Sequence, residues 1–221
     1  MSSGPRILPD GPAARAEAVD LLRAGRIVAL PTDTVYGIAA DPALPDAIER
    51  LFAAKARPPE KAVAVLLADA TQAASLGVVG PAAAILADRF WPGGLTLVLP
   101  ALAGARLPGV HGVISGGTPT IGVRVPDHPS PRALAAVLGP LPTTSANRSG
   151  EADAHDAAEI ASRLGDALAL VLDGGPIRGG PASTVVDCSV ELPVVLRAGA
   201  IPPAEIAAAL DAAGIAHAIR S

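Results

Sequence analysis

The sequence predicts one α/β domain with a mixed sheet. Short apolar segments typical of strands mostly alternate with amphipathic segments typical of helices along the 221 residues. No linker-like change of composition divides the chain, and no internal repeat is evident. Half of the residues are apolar, which is enough for a sizeable core. We therefore expect a single domain over residues 1–221.

Each predicted strand is a short apolar or alternating run bounded by glycine, proline or a polar turn. The predicted strands are residues 6–8, 26–30, 62–67, 95–99, 120–125, 141–145, 169–172, 183–188 and 194–197. The first is a candidate edge strand, and the continuous apolar run 62–67 is expected to be covered on both faces. In the alternating strand 120–125, Thr120, Gly122 and Arg124 share one face.

The helices are predicted from apolar side chains at helical spacing and from start and stop signals. The predicted helices are residues 14–23, 45–55, 70–76, 81–89, 130–138, 154–164 and 203–213. Gly25 ends the first helix, and Lys55 lies in the last turn of the second. Ser130 is the expected N-cap of 130–138, with Pro131 at the first helical position. The Gly- and Pro-rich segment 102–119 is predicted to be an exposed loop.

Composition restricts the possible functions. The net charge of −4 and the pI of about 5.5 argue against a broad nucleic-acid-binding face, and aromatic residues at 2% are too scarce for a base-stacking platform. The single cysteine, Cys188, excludes an intrachain disulfide and fits a reducing cytoplasm. Neither a signal peptide nor an apolar run of membrane-spanning length is found.

Several familiar chemical motifs are missing from the sequence. There is no P-loop, no dinucleotide-binding glycine fingerprint and no Gly-x-Ser-x-Gly nucleophile elbow. The four histidines, at positions 111, 128, 155 and 217, are scattered and unlike a metal cluster. We therefore expect no protein-bound metal.

Both lysines of the chain, Lys55 and Lys61, flank one short segment that also contains Arg57 and two prolines. Ammonium and guanidinium groups on a stiff loop are suited to gripping a polyphosphate. The alternative is that these residues only terminate a helix and that their charges are solvated.

Further polar groups follow the other predicted strands, and they are mainly hydroxyls and cations rather than carboxylates or histidines. They are Thr32, Asp33, Thr34, Thr120, Arg124, Thr143, Thr144, Ser145, Asn147, Ser183, Thr184 and Arg197. Such side chains often only satisfy the backbone of turns. If they share one pocket, its lining favours a doubly anionic ligand.

The same stretches resemble the YrdC/TsaC family, whose members are threonylcarbamoyl-adenylate synthases. The resemblance covers about residues 15–205. It rests on Pro31-Thr32-Asp33-Thr34-Val35-Tyr36-Gly37, Lys55-x-Arg57-Pro58, Trp91-Pro92-Gly93, Val123-Arg124-Val125-Pro126, Ser145-Ala146-Asn147, Ser183-Thr184-Val185-Val186-Asp187 and Leu196-Arg197-Ala198-Gly199. It implies a short, single-domain member with a twisted mixed sheet and a concave pocket.

The resemblance also implies an activity and its residues. L-threonine, bicarbonate and ATP would give threonylcarbamoyl-AMP and pyrophosphate, with Mg²⁺ bound through ATP and with tRNA threonylcarbamoyl-transfer machinery as the partner. Lys55 and Arg57 are the implied catalytic residues. The implied threonine-binding residues are Thr34, Arg124, Thr143 and Ser183. The implied ATP-binding residues are Lys55, Arg57, Lys61, Thr120, Ser145, Asn147 and Arg197.

Two other functions remain open from the sequence. The first is a non-catalytic module that binds double-stranded RNA or acts in ribosome maturation, against which the acidic net charge weighs. The second is an enzyme that adenylates a carbamoyl group from carbamoyl phosphate. Its known carriers have additional domains that this sequence lacks.

Overall fold

Ten strands pair into one sheet in the part of the chain that the structure describes. The structure is a computed structural model that describes residues 4–56, 58, 61–103, 114–177 and 180–220. The strands are β1 (Arg6–Pro9), β2 (Val28–Leu30), β3 (Gly37–Ala39), β4 (Ala64–Leu66), β5 (Leu95–Pro100), β6 (Thr120–Arg124), β7 (Leu141–Ser145), β8 (Leu170–Asp173), β9 (Thr184–Asp187) and β10 (Val194–Arg197).

The sheet mixes parallel and antiparallel pairs. Its order is β1-β8-β2-β3-β7-β4-β6-β5-β9-β10. The pairs β1–β8, β2–β8, β4–β6 and β5–β9 are parallel. The pairs β2–β3, β3–β7, β4–β7, β5–β6 and β9–β10 are antiparallel. The predicted fold class, α/β with a mixed sheet, is confirmed, and β1 lies at a sheet edge as predicted.

Six α-helices that lie wholly within the described residues cover this sheet. They are α1 (Pro12–Arg23), α2 (Pro45–Ala54), α3 (Pro81–Phe90), α4 (Pro129–Leu138), α5 (Ala157–Leu164) and α6 (Pro203–Ala212). All except α5 begin with a proline, whose fixed φ suits a helix start and whose missing N–H would have no partner there. The predicted helix 70–76 is a 3₁₀ helix, Ala70–Ser75.

Buried side chains form two clusters, one on each face of the sheet. On β7, Leu141 packs in the smaller cluster with residues of α1 and α4, whereas the larger cluster includes residues of α2, α3, α5 and α6. Because strand side chains alternate between faces, Thr143 and Ser145 lie on the same face as Leu141. Beyond the cover of α1 and α4, this face borders a cavity that both polar and apolar side chains line.

Three expectations about local structure are wrong. The strand β3 was not predicted, because only its pairing with β2 and β7 identifies these three residues as a strand. The run 62–67 has apolar cover on one face only, since Ala64 and Leu66 line a cavity. The helix α4 is capped by His128, whose Nδ1 accepts from the N–H of Ser130 at 3.2 Å. Part of the predicted loop 102–119, residues 104–113, lies outside the described residues.

Candidate functional site

A cavity of about 470 Å³ lies on the partly uncovered face of the sheet. Its volume falls within the usual range for small-molecule sites. Seven of the predicted site residues line it: Thr34, Thr120, Arg124, Thr143, Ser145, Ser183 and Arg197. These residues come from five different strands or loops, so the fold brings together side chains that are far apart in the sequence.

Arg124 organises one end of the cavity. Although it is charged, it is only 5% exposed. Its Nε donates to the carbonyl of Gly93 at 2.9 Å, and its two terminal nitrogens donate to the Thr34 hydroxyl at 2.8 Å and to the Asp33 carboxylate at 2.6 Å. A guanidinium has five N–H donors, so these three bonds leave two N–H groups for a ligand carboxylate.

The electrostatics of Arg124 follow from its burial. Desolvation lowers the pKa of its guanidinium, and the nearby Arg197 lowers it further, whereas the Asp33 carboxylate raises it. Arginine nevertheless stays protonated at neutral pH because its unperturbed pKa is so high. The cavity therefore contains a desolvated, permanently positive group, which would attract an anion strongly.

Ser183 joins Arg197 to the cavity floor. The Ser183 hydroxyl is 2.9 Å from the hydroxyl of Thr96 and accepts from Arg197 at 3.1 Å. Arg197 also donates to the backbone carbonyl of Ser183 through two nitrogens, at 3.1 and 2.8 Å. These contacts fix the guanidinium of Arg197 at the rim. Thr143, which is 6% exposed, donates its hydroxyl to the carbonyl of Leu141 at 3.0 Å.

Lys55 lies behind the cavity wall instead of lining it. It is 2% exposed, and its ammonium donates to the carbonyl of Ser145, to the Ser145 hydroxyl at 3.1 Å and to the Asn147 side-chain oxygen at 2.8 Å. The Ser145 hydroxyl donates to the same Asn147 oxygen at 2.6 Å. The lysine therefore holds Ser145 and Asn147 in place and adds positive charge at this end of the cavity.

The remaining predicted phosphate-binding residues differ in what the structure describes. Lys61 is exposed and immediately precedes Ala62, which lines the cavity. Arg57 lies outside the described residues.

The strand register gives the cavity two distinct ends. Leu66 of β4 is paired with Arg124 of β6 and with Leu141 of β7, and β4 runs parallel to β6 but antiparallel to β7. The path along β7 from Leu141 to Ser145 therefore runs in the same direction as the path along β6 from Arg124 back to Thr120. Four residues of strand span about 13 Å. Ser145 and Thr120 thus mark one end, and Arg124 marks the other.

Sequence reasoning missed several groups in the cavity. Thr96 could have been found, because it is a lone hydroxyl in the apolar strand β5 and would have been expected to face a polar space. Ser115, Thr118 and Asp153 also line the cavity. They are in turns and loops without a repeating pattern, so nothing in the sequence marked them.

The described residues contain neither a cluster of metal ligands nor a helix that could span a membrane. Within the described ranges, no group of three or more His, Cys, Asp or Glu side chains is placed to hold a metal ion. No helix among the described residues is both long and apolar enough to cross a bilayer.

Comparison with known proteins identifies the family. The Sua5/YciO/YrdC family model, described as "Telomere recombination", matches residues 20–199. The chain belongs to the Sua5/YciO/YrdC family. The predicted resemblance is thereby confirmed.

Three similar proteins indicate what members of this family do. A threonylcarbamoyl-AMP synthase of Bacillus subtilis (strain 168) is 40% identical over 199 residues, which cover 88% of this chain and 56% of that protein. A putative threonylcarbamoyl-AMP synthase of Mycobacterium tuberculosis (strain CDC 1551 / Oshkosh) is 37% identical, with 90% of each chain covered. The crystal structure of P. abyssi Sua5 complexed with L-threonine has a TM-score of 0.84 and 35% identity, and covers 93% of this chain and 59% of that one.

Some relatives are considerably longer than this chain. The chain spans about half the length of the first two curated relatives, 56% and 55%, but 90% of the mycobacterial one.

Proposed function

We propose that this chain is an L-threonylcarbamoyladenylate synthase. It joins L-threonine, bicarbonate and ATP to give threonylcarbamoyl-AMP and pyrophosphate, and so acts as a nucleotidyltransferase. The observation that carries the proposal is one cavity whose two ends carry positive charge, Arg124 at one and Lys55 behind the other. Family membership and the threonine-bound relative support the same substrates.

L-threonine is assigned to the Arg124 end. The two remaining N–H groups of Arg124 are suited to the substrate carboxylate, because a planar guanidinium binds a carboxylate through two parallel hydrogen bonds. The hydroxyls of Thr34, Thr143 and Ser183 surround this end and can orient the amine and the side chain. Each of these three residues is less than 10% exposed, so the surrounding protein holds its side chain in place.

ATP is assigned to the end with Thr120 and Ser145, with its phosphates toward Lys55 and Lys61. Arg57 remains an ATP-binding residue by family resemblance only. The contacts from Lys55 hold the Ser145 hydroxyl and the Asn147 amide in fixed positions. Preorganised donors of this kind stabilise charge as it develops, without rearranging during the reaction. Arg197, fixed by Ser183, completes the positive lining of the cavity.

The reaction then needs positioning more than a side-chain nucleophile. The threonine amine adds to bicarbonate with loss of water and forms a carbamate. A carbamate oxygen attacks the α-phosphorus, the bond from this phosphorus to the bridging oxygen breaks, and pyrophosphate leaves. Holding the carbamate and the triphosphate in contact converts a bimolecular step into an effectively unimolecular one. The charges of Arg124, Arg197 and Lys55 offset the repulsion between them.

Mg²⁺ fits this site as a companion of ATP. The hydroxyl oxygens of Thr120 and Ser145 are hard oxygen donors of the kind that Mg²⁺ and its bound water accept. When bound, the ion would neutralise charge on the phosphates. Cytoplasmic location and delivery of the product to tRNA-modifying enzymes belong to the same proposal.

The proposal is tested by measuring pyrophosphate release from ATP with L-threonine or bicarbonate left out in turn. We expect release only when all three substrates are present. Release that does not depend on threonine would contradict the substrate assignment. Tight binding of double-stranded RNA, with no response to ATP or threonine, would instead support the non-catalytic alternative.

A further inference from the structure

Asp153 is chemically unlike its surroundings. It lines the cavity, where the other described side chains are apolar, hydroxyl-bearing or guanidinium groups. Among the described residues, no hydrogen bond or ion pair engages its carboxylate. Its side chain is partly exposed.

The loop that carries Asp153 is fixed at the Ser145 end of the cavity. The Asn147 amide accepts from Lys55 through its oxygen, and its nitrogen donates to the carbonyl of Glu151 at 2.6 Å. Farther along, the carbonyl of His155 accepts from the N–H of Ile177 at 2.9 Å. Asp153 lies between these two anchored residues and lines the cavity, so the backbone that carries its carboxylate is held near Asn147.

A carboxylate beside a polyphosphate is unfavourable unless a cation lies between them. Mg²⁺ prefers carboxylate oxygens among protein ligands, usually takes only one or two of them, and keeps several of its waters. A hydrated Mg²⁺ brought by ATP would turn the repulsion between the two anions into an attraction. A hydrogen bond from a ribose hydroxyl to the same carboxylate would instead not depend on the metal.

We propose that the Asp153 carboxylate holds, through water, the Mg²⁺ that enters with ATP. This inference rests on the proposed function and deepens it. Asp153 thereby selects Mg·ATP over metal-free ATP at the Ser145 end of the cavity. Its role is in binding, and it is distinct from those of Lys55 and Arg124.

The test is calorimetric titration of ATP, without threonine, in Mg²⁺ and in EDTA. The variant is Asp153→Asn, and the control is Glu151→Gln. The control removes the same charge from an exposed side chain two residues away that does not line the cavity. For Asp153→Asn we expect Mg·ATP affinity to fall by about 10-fold or more, the usual cost of losing an outer-shell metal partner. Metal-free ATP should bind this variant more tightly than it binds the wild type.

Opposite changes in the two titrations are the result that a merely structural role cannot produce. Equal weakening with and without Mg²⁺ would overturn the inference and place the nucleoside at Asp153. Unchanged affinities in both titrations would also overturn it, and Glu151→Gln should behave like the wild type. Failure of the wild-type protein to bind ATP at all would remove the proposed function together with the inference. Paramagnetic broadening of threonine-free protein by Mn·ATP provides a second readout, and Asp153→Asn should need about 10-fold more Mn·ATP for the same broadening.

Discussion

Replacing Arg124 by lysine tests the threonine end of the cavity while the positive charge is kept. The guanidinium reaches the Gly93 carbonyl, the Thr34 hydroxyl and the Asp33 carboxylate from three nitrogens, at 2.9, 2.8 and 2.6 Å. An ammonium is one compact donor, so it cannot span these three positions and still offer a paired contact to a substrate carboxylate. Arg124→Lys therefore keeps the charge but loses the geometry.

The expected magnitude follows from the bonds lost. A hydrogen bond to a charged group contributes about 1.5–3 kcal/mol. Loss of one such bond to the threonine carboxylate raises Kd by about 10- to 150-fold, since about 1.4 kcal/mol corresponds to a factor of ten. Loss of the bonds to Gly93 and Thr34 should also lower the free energy of unfolding by about 1–3 kcal/mol.

The assay is titration of L-threonine by calorimetry, with urea unfolding of the same samples. Arg132→Lys is the matched control, because Arg132 donates its Nε to the carbonyl of Ala68 at 2.9 Å and does not line the cavity. It should lose some stability and no threonine affinity. If folded Arg124→Lys binds threonine within about twofold of the wild type, the assignment of the carboxylate to Arg124 is wrong.

Three further predictions follow. Gly122→Val should fold, because a Cβ at this position has its nearest neighbour at 3.6 Å. Its side chain would project into the cavity and weaken substrate binding by about 10-fold or more. The control is Gly80→Ala, where a Cβ meets nothing within 4 Å, and unchanged substrate affinity in Gly122→Val would contradict the cavity assignment. Cys188 should resist iodoacetamide at pH 8 in the folded protein and react in urea, because burial raises the pKa of its thiol to about 12. Rapid labelling of the folded protein would contradict this raised pKa. Asp10→Asn should lower the free energy of unfolding at pH 7 by about 1–3 kcal/mol, because the variant loses hydrogen bonds to a charged group. Burial opposes the ionisation of Asp10, but the hydrogen bonds from Arg15 and Ser130 outweigh this effect and hold the pKa of Asp10 below its ordinary value of 3.8. The stabilisation by this carboxylate is present above pH 3.8 and is lost as the pH falls through the lower folded-state value, so the difference between the variant and the wild type should shrink in acid; a difference that stays constant down to pH 2 would refute this.

The parts of the fold that depend on local pattern were predictable from the sequence. Alternation along 120–125 correctly placed Thr120, Gly122 and Arg124 on one face, and all three line the cavity. The strand β3 could not be predicted, since three residues carry no period and one of its two pairing partners, β7, is more than 100 residues away. Long-range pairing decides such short strands.

The site shows the same division between local and distant causes. The residue types at the strand ends indicated an anion-binding pocket, and nine of those twelve polar residues line the cavity. The burial of Lys55 was not predictable, because its partners Ser145 and Asn147 lie 90 and 92 residues along the chain. A lysine at a helix end is ordinarily solvated, so tertiary contacts alone give this one its position. Asp153 lies in a loop without any pattern and was found only from the structure.

The most direct test of the account is the product formed from ¹³C-labelled bicarbonate. The protein is incubated with L-threonine, ATP, Mg²⁺ and labelled bicarbonate, and the nucleotide fraction is analysed by mass spectrometry. The account predicts an adenylate that carries both the threonine mass and the label, formed in equal amount with pyrophosphate. An adenylate of threonine without the label, or ADP and phosphate in place of pyrophosphate, would contradict it.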